Sequence, residues 1–400
     1  MRTGRVLRNE QSILDAVAEL AMELEARGYR LGGGDDDDPH AVLLAFTPPA
    51  RTNPFQALLY GRTIDHGVGT LPVKTIGELA ELPWPGRVVC HLHWIANVLA
   101  GAESEAEADD LVATFSDQLD AVQRQGHRLV WTAHNVLPHD ARHLAHEIAL
   151  RQALIAAADA VHVMTDDTVD LFRERAPIPE HKVFHVPHPT YAGAYPDHVS
   201  RAEARSELGV RPGEVVFLLF GSLQPYKGVE ELLAAFERLA SRDLDRPARL
   251  VIAGNAPDER FGSELRVWAA GRLDATVEIA RVPIEDVQYY YRAADVAVLP
   301  YRQALNSGAA MLAVTFGVPV LVAARGGLAG LAAMPGVLSY QPDRQDLTDA
   351  MHAALTTDLA PLRRAIVEHR AALAPDRISD AFARRLLEML GWSAQLRRSA

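Results

Sequence analysis

The chain has 400 residues, 48% of them hydrophobic, and a formal net charge of −12. That size supports a sizeable buried core divided between two domains, and the acidic balance speaks against nucleic acid, whose phosphates select a basic surface. The lone cysteine, Cys90, excludes an intramolecular disulfide and a cysteine metal cluster, and reads as a small core residue at a strand end.

Residues 9–27 carry a helical pattern that Gly32-Gly33-Gly34-Asp35-Asp36-Asp37-Asp38-Pro39 interrupts with glycine and like charge. Residues 1–40 are therefore expected to be an N-terminal helix and an acidic linker, the aspartates solvated rather than holding a cation. No apolar h-region precedes this stretch and no apolar run reaches about 18 residues. The expected setting is cytoplasmic, with membrane contact at most peripheral.

A first domain is expected over 41–190. Its opening strand, Ala41–Phe46, runs into the rigid polar loop Thr47-Pro48-Pro49-Ala50-Arg51-Thr52-Asn53-Pro54. Further strands are predicted at Val88–His91, Leu129–Ala133 and Ala160–Met164, with helices over 107–125, 145–157 and 166–175. Such alternation predicts a doubly wound parallel sheet, whose carboxyl strand ends face a ligand crevice. His91 and His93 follow one strand, and His134, Asn135, His139 and Asp140 follow another. Those positions suit contact with a ligand hydroxyl or removal of its proton, so His93, His134, His139 and Asp140 are the candidate catalytic groups. A metal reading of His93, His134 and His139 is set aside, because they lie on separate loops without helical ligand spacing. Asn53, Asn135 and His188 are candidates for lining the cleft, and 183–211 contains the connection to the next domain.

The second domain is expected over 191–375. The apolar run Val215–Phe220 stops at Gly221-Ser222, and Lys227 stands just before a helix with Val229, Leu232, Leu233, Phe236 and Leu239 on one face. A glycine turn, helix-start N–H groups and a full positive charge suit a phosphate. A second such turn follows the strand Asp295–Leu299: Asn306, Ser307 and Gly308 open an apolar helix that ends at Phe316. A third, Arg325-Gly326-Gly327, follows the strand that begins at Val318. Three such turns at one sheet edge suit a diphosphate held by Gly221, Ser222, Lys227, Asn306, Ser307 and Gly308. Val282 and Pro283, after a strand predicted at Val277–Ala280, are candidates for the nucleotide base, and residues 376–391 read as an amphipathic helix.

The ordered set Gly221 to Gly228, Ala253-Gly254-Asn255, Tyr291 to Tyr301 and Phe316-Gly317-Val318-Pro319-Val320 resembles the C-terminal domain of GT-B nucleotide-sugar glycosyltransferases. The likeness implies an α/β GT-B fold of two Rossmann-like, doubly wound parallel-sheet domains facing a central cleft. It further implies that segment 376–400 packs back on the first domain. The implied reaction moves a hexosyl unit from a GDP- or UDP-sugar, bound by the second domain, to a hydroxyl of a carbohydrate, lipid-linked or small-molecule acceptor. No metal and no cofactor beyond the donor are implied. The retaining branch of the family has an arginine after the first glycine and two glutamates eight positions apart, where this chain has Ser222, Ala304 and Leu312. Tyr226-Lys227 and Asn306-Ser307-Gly308 are closer to bacterial exopolysaccharide glycosyltransferases, including GDP-mannose β-mannosyltransferases. The anomeric outcome therefore stays open: Asp140 is the expected base if the enzyme inverts, and by resemblance His93 meets the donor sugar if it retains. The rival readings are a GT-B-like epimerase or phosphorylase and a noncatalytic sugar-nucleotide-binding subunit.

Overall fold

A computed structural model describes residues 12–32, 40–138 and 141–392. The four aspartates at 35–38 fall outside these residues, as do His139 and Asp140. The chain divides into two compact units, Met1–Pro189 with Pro375–Ala400, and Thr190–Ala374.

In the first unit the strands are β1 (Val42–Thr47), β2 (Val68–Pro72), β3 (Arg87–Leu92), β4 (Arg128–Thr132), β5 (Ala160–Val163) and β6 (Val183–His185). They form one parallel sheet in the order β2-β1-β3-β4-β5-β6. Near-continuous apolar runs make this possible, since a parallel sheet is covered on both faces and rewards no alternation. Helices Glu105–Arg124 and Leu144–Ala157 make two of the crossovers. Helix Pro375–Met389 packs in the same unit: Phe382 is fully buried and stacks on His91 with ring centroids 5.5 Å apart, while Asp380 bonds His66 Nε2 at 3.0 Å. Strand β2 escapes a reading by pattern because Val68-Gly69-Thr70-Leu71-Pro72 carries a glycine and a proline, both poor strand formers. The predicted helix over 166–175 contracts to Thr168–Phe172.

In the second unit β7 (Val215–Phe220), β8 (Ala248–Ala253), β9 (Ala275–Glu278), β10 (Val296–Leu299), β11 (Val320–Ala323) and β12 (Val337–Tyr340) form a second parallel sheet, ordered β12-β11-β10-β7-β8-β9. Strand β9 sits two residues earlier than the pattern predicts, at the sheet edge, where partial exposure weakens the apolar signal. The architecture is thus two layered α/β units, each with a six-stranded parallel sheet. Among the described residues no helix is long and apolar enough to cross a membrane.

Asp295, 8% exposed, fixes the strand junction of the second unit. Its carboxylate accepts from the Val216 backbone at 2.9 Å and pairs with Arg201 at 2.6 Å, Arg205 at 3.1 Å and Arg363 at 3.3 Å. One buried acid thus ties β7 and β10 to two helices, Arg201–Glu207 and Leu359–His369. Removing a buried ion's partner leaves the opposite charges stranded, so Asp295→Ala is expected to cost about 3–5 kcal/mol of unfolding free energy in urea titrations. A loss under about 1 kcal/mol, the size of an exposed pair, would contradict this role.

Candidate functional site

The strand order of the second unit reverses between β7 and β10. β7 connects onward to β8 and β9 on one side, and β10 continues to β11 and β12 on the other. Loops leaving the carboxyl ends of these neighbours diverge and open a crevice, the usual ligand position in an open α/β sheet.

Two glycines let the crevice walls close up. A Cβ on Gly228, whose φ is +68°, would sit 2.3 Å from the Pro300 carbonyl oxygen, so the β7 loop can rest on the end of β10 only with glycine there. A Cβ on Gly254 would lie 1.7 Å from the Gly221 carbonyl oxygen, and Leu223 N donates to Asn255 O at 2.8 Å, which pins the β7 and β8 loops together.

Lys227 closes the short 3-10 turn Pro225–Lys227 and is 9% exposed. Its Nζ lies 5.5 Å from the centre of the Tyr301 ring. Burial alone pulls its pKa from 10.5 to about 8. No carboxylate offsets this among the described residues; the nearby Glu230 and Glu231 are taken by Arg302. A desolvated ammonium at such a strand-order reversal suits an anion.

The remaining predicted donor residues collect on the same sheet edge. Ser307 caps helix Gly308–Phe316, its Oγ accepting from Ala310 N at 3.2 Å, with Asn306 just before it. Ser222 receives a hydrogen bond from Gln224 at 3.2 Å. The expectation of helix-start amides beside Gly221 needs correcting, because the following helix begins only at Val229 and Pro225 starts the intervening turn. Ala304 and Leu312 are buried apolar residues, so they place no carboxylate near Lys227. Val282 and Pro283 follow β9, two strands from the crevice strand β7. Val282 is half-buried and Pro283 exposed.

The first unit reverses its strand order between β1 and β3, and a different chemistry gathers there. His93 Nδ1 bonds His134 Nε2 at 2.9 Å, and His93 Nε2 bonds the Tyr60 hydroxyl at 2.6 Å. That hydroxyl bonds His91 Nδ1 at 2.7 Å, and His91 Nε2 bonds Thr132 Oγ at 2.7 Å. Thr132 reaches His162 Nδ1 at 3.0 Å, and His162 Nε2 meets the Val186 carbonyl at 2.9 Å. Parallel register sets the Thr132 link by placing it beside His162 across β4 and β5.

The carbonyl end dictates every proton in this chain. Burial drives His91, His93 and His134 well below their ordinary pKa and His162 to about 4, so all four are neutral at pH 7. Val186 O can only accept, so His162 donates from Nε2 and accepts at Nδ1. Thr132 must then donate to His162 and accept from His91 Nε2, Tyr60 must donate to His91 and accept from His93 Nε2, and His93 Nδ1 must accept from His134. All four imidazoles are therefore Nε2–H tautomers, which makes Nδ1 the accepting atom of His134.

His93 is 1% exposed and both its nitrogens are engaged by protein partners, Tyr60 and His134. His134 is half-buried, stacked on Trp94 at 4.2 Å and edge-on to Phe55 at 5.2 Å. His188 joins this group through Phe55 at 4.9 Å, donates from Nδ1 to Pro189 O at 2.7 Å, and is held near pKa 4 by burial. Asn53 is exposed and spends its side-chain oxygen on Phe55 N at 3.0 Å; Asn135 follows His134, half-buried. A cleft of about 360 Å³ beside β1 and β3 is lined by Thr47, Lys74, Trp94 and Asn97 among others. Tyr60, Thr132 and His162 are absent from the predicted set. Thr132 and His162 had a signal, as polar residues inside otherwise apolar strands; Tyr60, on a short helix end, had none.

Comparison with known proteins adds lineage. Residues 214–358 match the family model "Glycosyl transferases group 1". The chain is 35% identical over 179 residues to D-inositol 3-phosphate glycosyltransferase of Nocardia farcinica, an alignment covering 41% of this chain and 38% of that protein's length. Among solved structures, sucrose-phosphate synthase from Thermosynechococcus elongatus aligns over 90% of this chain and 100% of its own, with TM-score 0.64 and 16% identity. HepE of Anabaena, in complex with UDP and glucose, aligns over 88% and 100%, with TM-score 0.59 and 15% identity. The fold is GT-B.

Two outcomes follow from the protonation states. Folding lowers the Lys227 pKa, so between pH about 8 and 10.5 the unfolded chain binds more protons and stability should rise with pH. Urea titrations across that window should show the rise in wild type and a flatter profile in Lys227→Met; equal profiles would contradict a buried, uncompensated ammonium. Tyr60→Phe removes both a donor and an acceptor from the chain. Imidazole ¹⁵N shifts should then show His91 and His162 still protonated at Nε2 while His93 and His134 become tautomeric mixtures, whereas four unchanged rings would overturn the derivation.

Proposed function

We propose that this chain is a glycosyltransferase that moves a hexosyl unit from a GDP- or UDP-sugar to an acceptor hydroxyl. The observation that carries the reading is Lys227, a buried cation with no carboxylate against it among the described residues, at the switch point of a segment that matches the group 1 family model. In the transfer the bond between the anomeric carbon and the diphosphate oxygen breaks, and a bond from the acceptor oxygen forms. The electron pair leaves with the diphosphate, where Lys227 and the N–H groups at the start of helix Gly308–Phe316 face the developing charge.

The acceptor's proton needs a base. Asp140 holds that role if the reaction inverts; His134, accepting through Nδ1, then orients a hydroxyl. Replacing Asp140 with Asn tests this, since near-normal turnover at saturating substrate removes the carboxylate from the mechanism. The first unit takes the acceptor, with Trp94 a flat apolar surface for a sugar ring.

By the likeness of Tyr226-Lys227 and Asn306-Ser307-Gly308, the process is polysaccharide or glycolipid assembly, reached from the cytoplasmic side with at most peripheral membrane contact. Lys74 favours a second reading, because an exposed cation lining the cleft suits a small acceptor that carries a phosphate. The relative from Nocardia, named for D-inositol 3-phosphate, leans the same way.

Turnover assays with GDP- and UDP-sugars against both acceptor classes decide between these. Lys227→Met is expected to lower kcat/KM at least 100-fold for the preferred donor, about 3 kcal/mol of transition-state stabilisation. Lys74→Ala should raise KM for phosphate-bearing acceptors alone. Donor binding without transfer to any acceptor would favour a noncatalytic subunit, and conversion of the donor alone an epimerase.

A further inference from the structure

Outside the sites above, a second cluster of histidines lies between the starts of helices Glu105–Arg124 and Leu144–Ala157. His143 directly precedes the second helix and His146 sits in its first turn, a three-residue spacing that puts both rings on one face. Glu105 is the first residue of the other helix, and Asp109 stands one turn further on. His143 Nδ1 lies 2.9 Å from one Glu105 oxygen and His146 Nδ1 lies 3.3 Å from the other. One ligand atom from each residue falls within 4.8 Å of the others.

The outer nitrogens are also spoken for. His143 Nε2 faces the Ala102 carbonyl at 3.3 Å, and His146 Nε2 faces Asp109 Oδ1 at 2.9 Å. Both partners accept, as does Glu105, so in the metal-free chain His143 donates to Glu105 from Nδ1; an ion that displaces that proton leaves each ring with Nε2–H held outward and Nδ1 turned toward Glu105. A backbone carbonyl behind one imidazole and a carboxylate behind the other is the outer support that metal-bound histidines have. His146 Nδ1 supplies a separate indication: it is buried and makes no hydrogen bond among the described residues, though it points at a carboxylate. Two imidazole nitrogens and a carboxylate that converge within 4.8 Å, one nitrogen without a hydrogen bond among the described residues, form a set that a cation can bridge.

We propose that His143 Nδ1, His146 Nδ1 and Glu105 bind one divalent transition-metal ion of the Zn²⁺ type, with water completing the coordination. Imidazole nitrogens select such an ion over Mg²⁺ or Ca²⁺. Bonds of about 2.0–2.1 Å in a tetrahedral site separate ligand atoms by roughly 3.3 Å, a separation that the two histidine–Glu105 contacts of 2.9 and 3.3 Å approach while the whole set stays within 4.8 Å. Both helix N-termini oppose a cation there, and Glu105 with Asp109 supplies the compensating negative charge. The ion pins the two helix starts together, and so fixes the far end of the loop that leaves β4 with His134. Its work is structural and independent of the transfer reaction.

The test uses the full chain stripped with a chelator, then titrated with Zn²⁺ by calorimetry and with Co²⁺ by visible absorption. One ion per chain is expected. Glu105→Gln and His146→Gln should each weaken uptake at least tenfold, and Asp109→Asn also tenfold or more, with circular dichroism and nucleotide binding unchanged. Absence of stoichiometric uptake by the wild-type chain, or uptake undiminished in both Glu105→Gln and His146→Gln, would overturn the proposal.

Discussion

An ammonium group held out of water with no carboxylate beside it is costly, and the second unit is built around tolerating one. Lys227 keeps its charge near neutral pH only weakly, its pKa lowered to about 8 by burial alone. The surrounding backbone leaves it little room to escape: Gly228 lies against Pro300, Gly254 lies against Gly221, and β7 and β10 are locked by Asp295 and its three arginines. If the proposed diphosphate enters the crevice it supplies the missing negative charge, and part of the energy spent on burying the cation returns as affinity.

The two units place their chemistry at the same topological position and treat charge in opposite ways. At the β7/β10 reversal stands an unneutralised cation. At the β1/β3 reversal stands a neutral chain of imidazoles and hydroxyls in which every donor finds an acceptor, closed at one end by the Val186 carbonyl. Burial is tolerable there because nothing in the chain is charged and nothing unsatisfied. Such a network gives His134 a fixed tautomer, with Tyr60 and His93 behind it. The proposed transfer would have to take a proton from one hydroxyl and stabilise a leaving diphosphate, and a fixed hydrogen-bond acceptor and a buried cation suit those two needs.

Much of this was readable along the chain wherever the determinant was local. Apolar runs ending in Gly221 and Pro300 mark parallel strands, and Ser307 before an apolar stretch marks a helix start. What the sequence hides depends on register and on distant neighbours. Thr132 bonds His162 only because β4 and β5 align them, and His91 reaches Tyr60 only because a short helix from another crossover packs above it. The partners of His93 are hidden for the same reason: from the sequence it is a histidine after a strand, and in the fold both its nitrogens bond protein groups. Likewise Glu105 lies 38 residues from His143, too far for a spacing rule to join them. Strand β2 is hidden differently, by a glycine and a proline inside the segment itself.

The most direct test of the central claim compares calorimetric binding of UDP with uridine and of GDP with guanosine, in wild type and in Lys227→Met. If the buried ammonium receives the diphosphate, one nucleoside diphosphate binds the wild type far more tightly than its nucleoside, and that difference collapses in the variant while nucleoside binding is unchanged. An equal preference for the diphosphate in both proteins would mean that another group holds it, and the account of the crevice would fail.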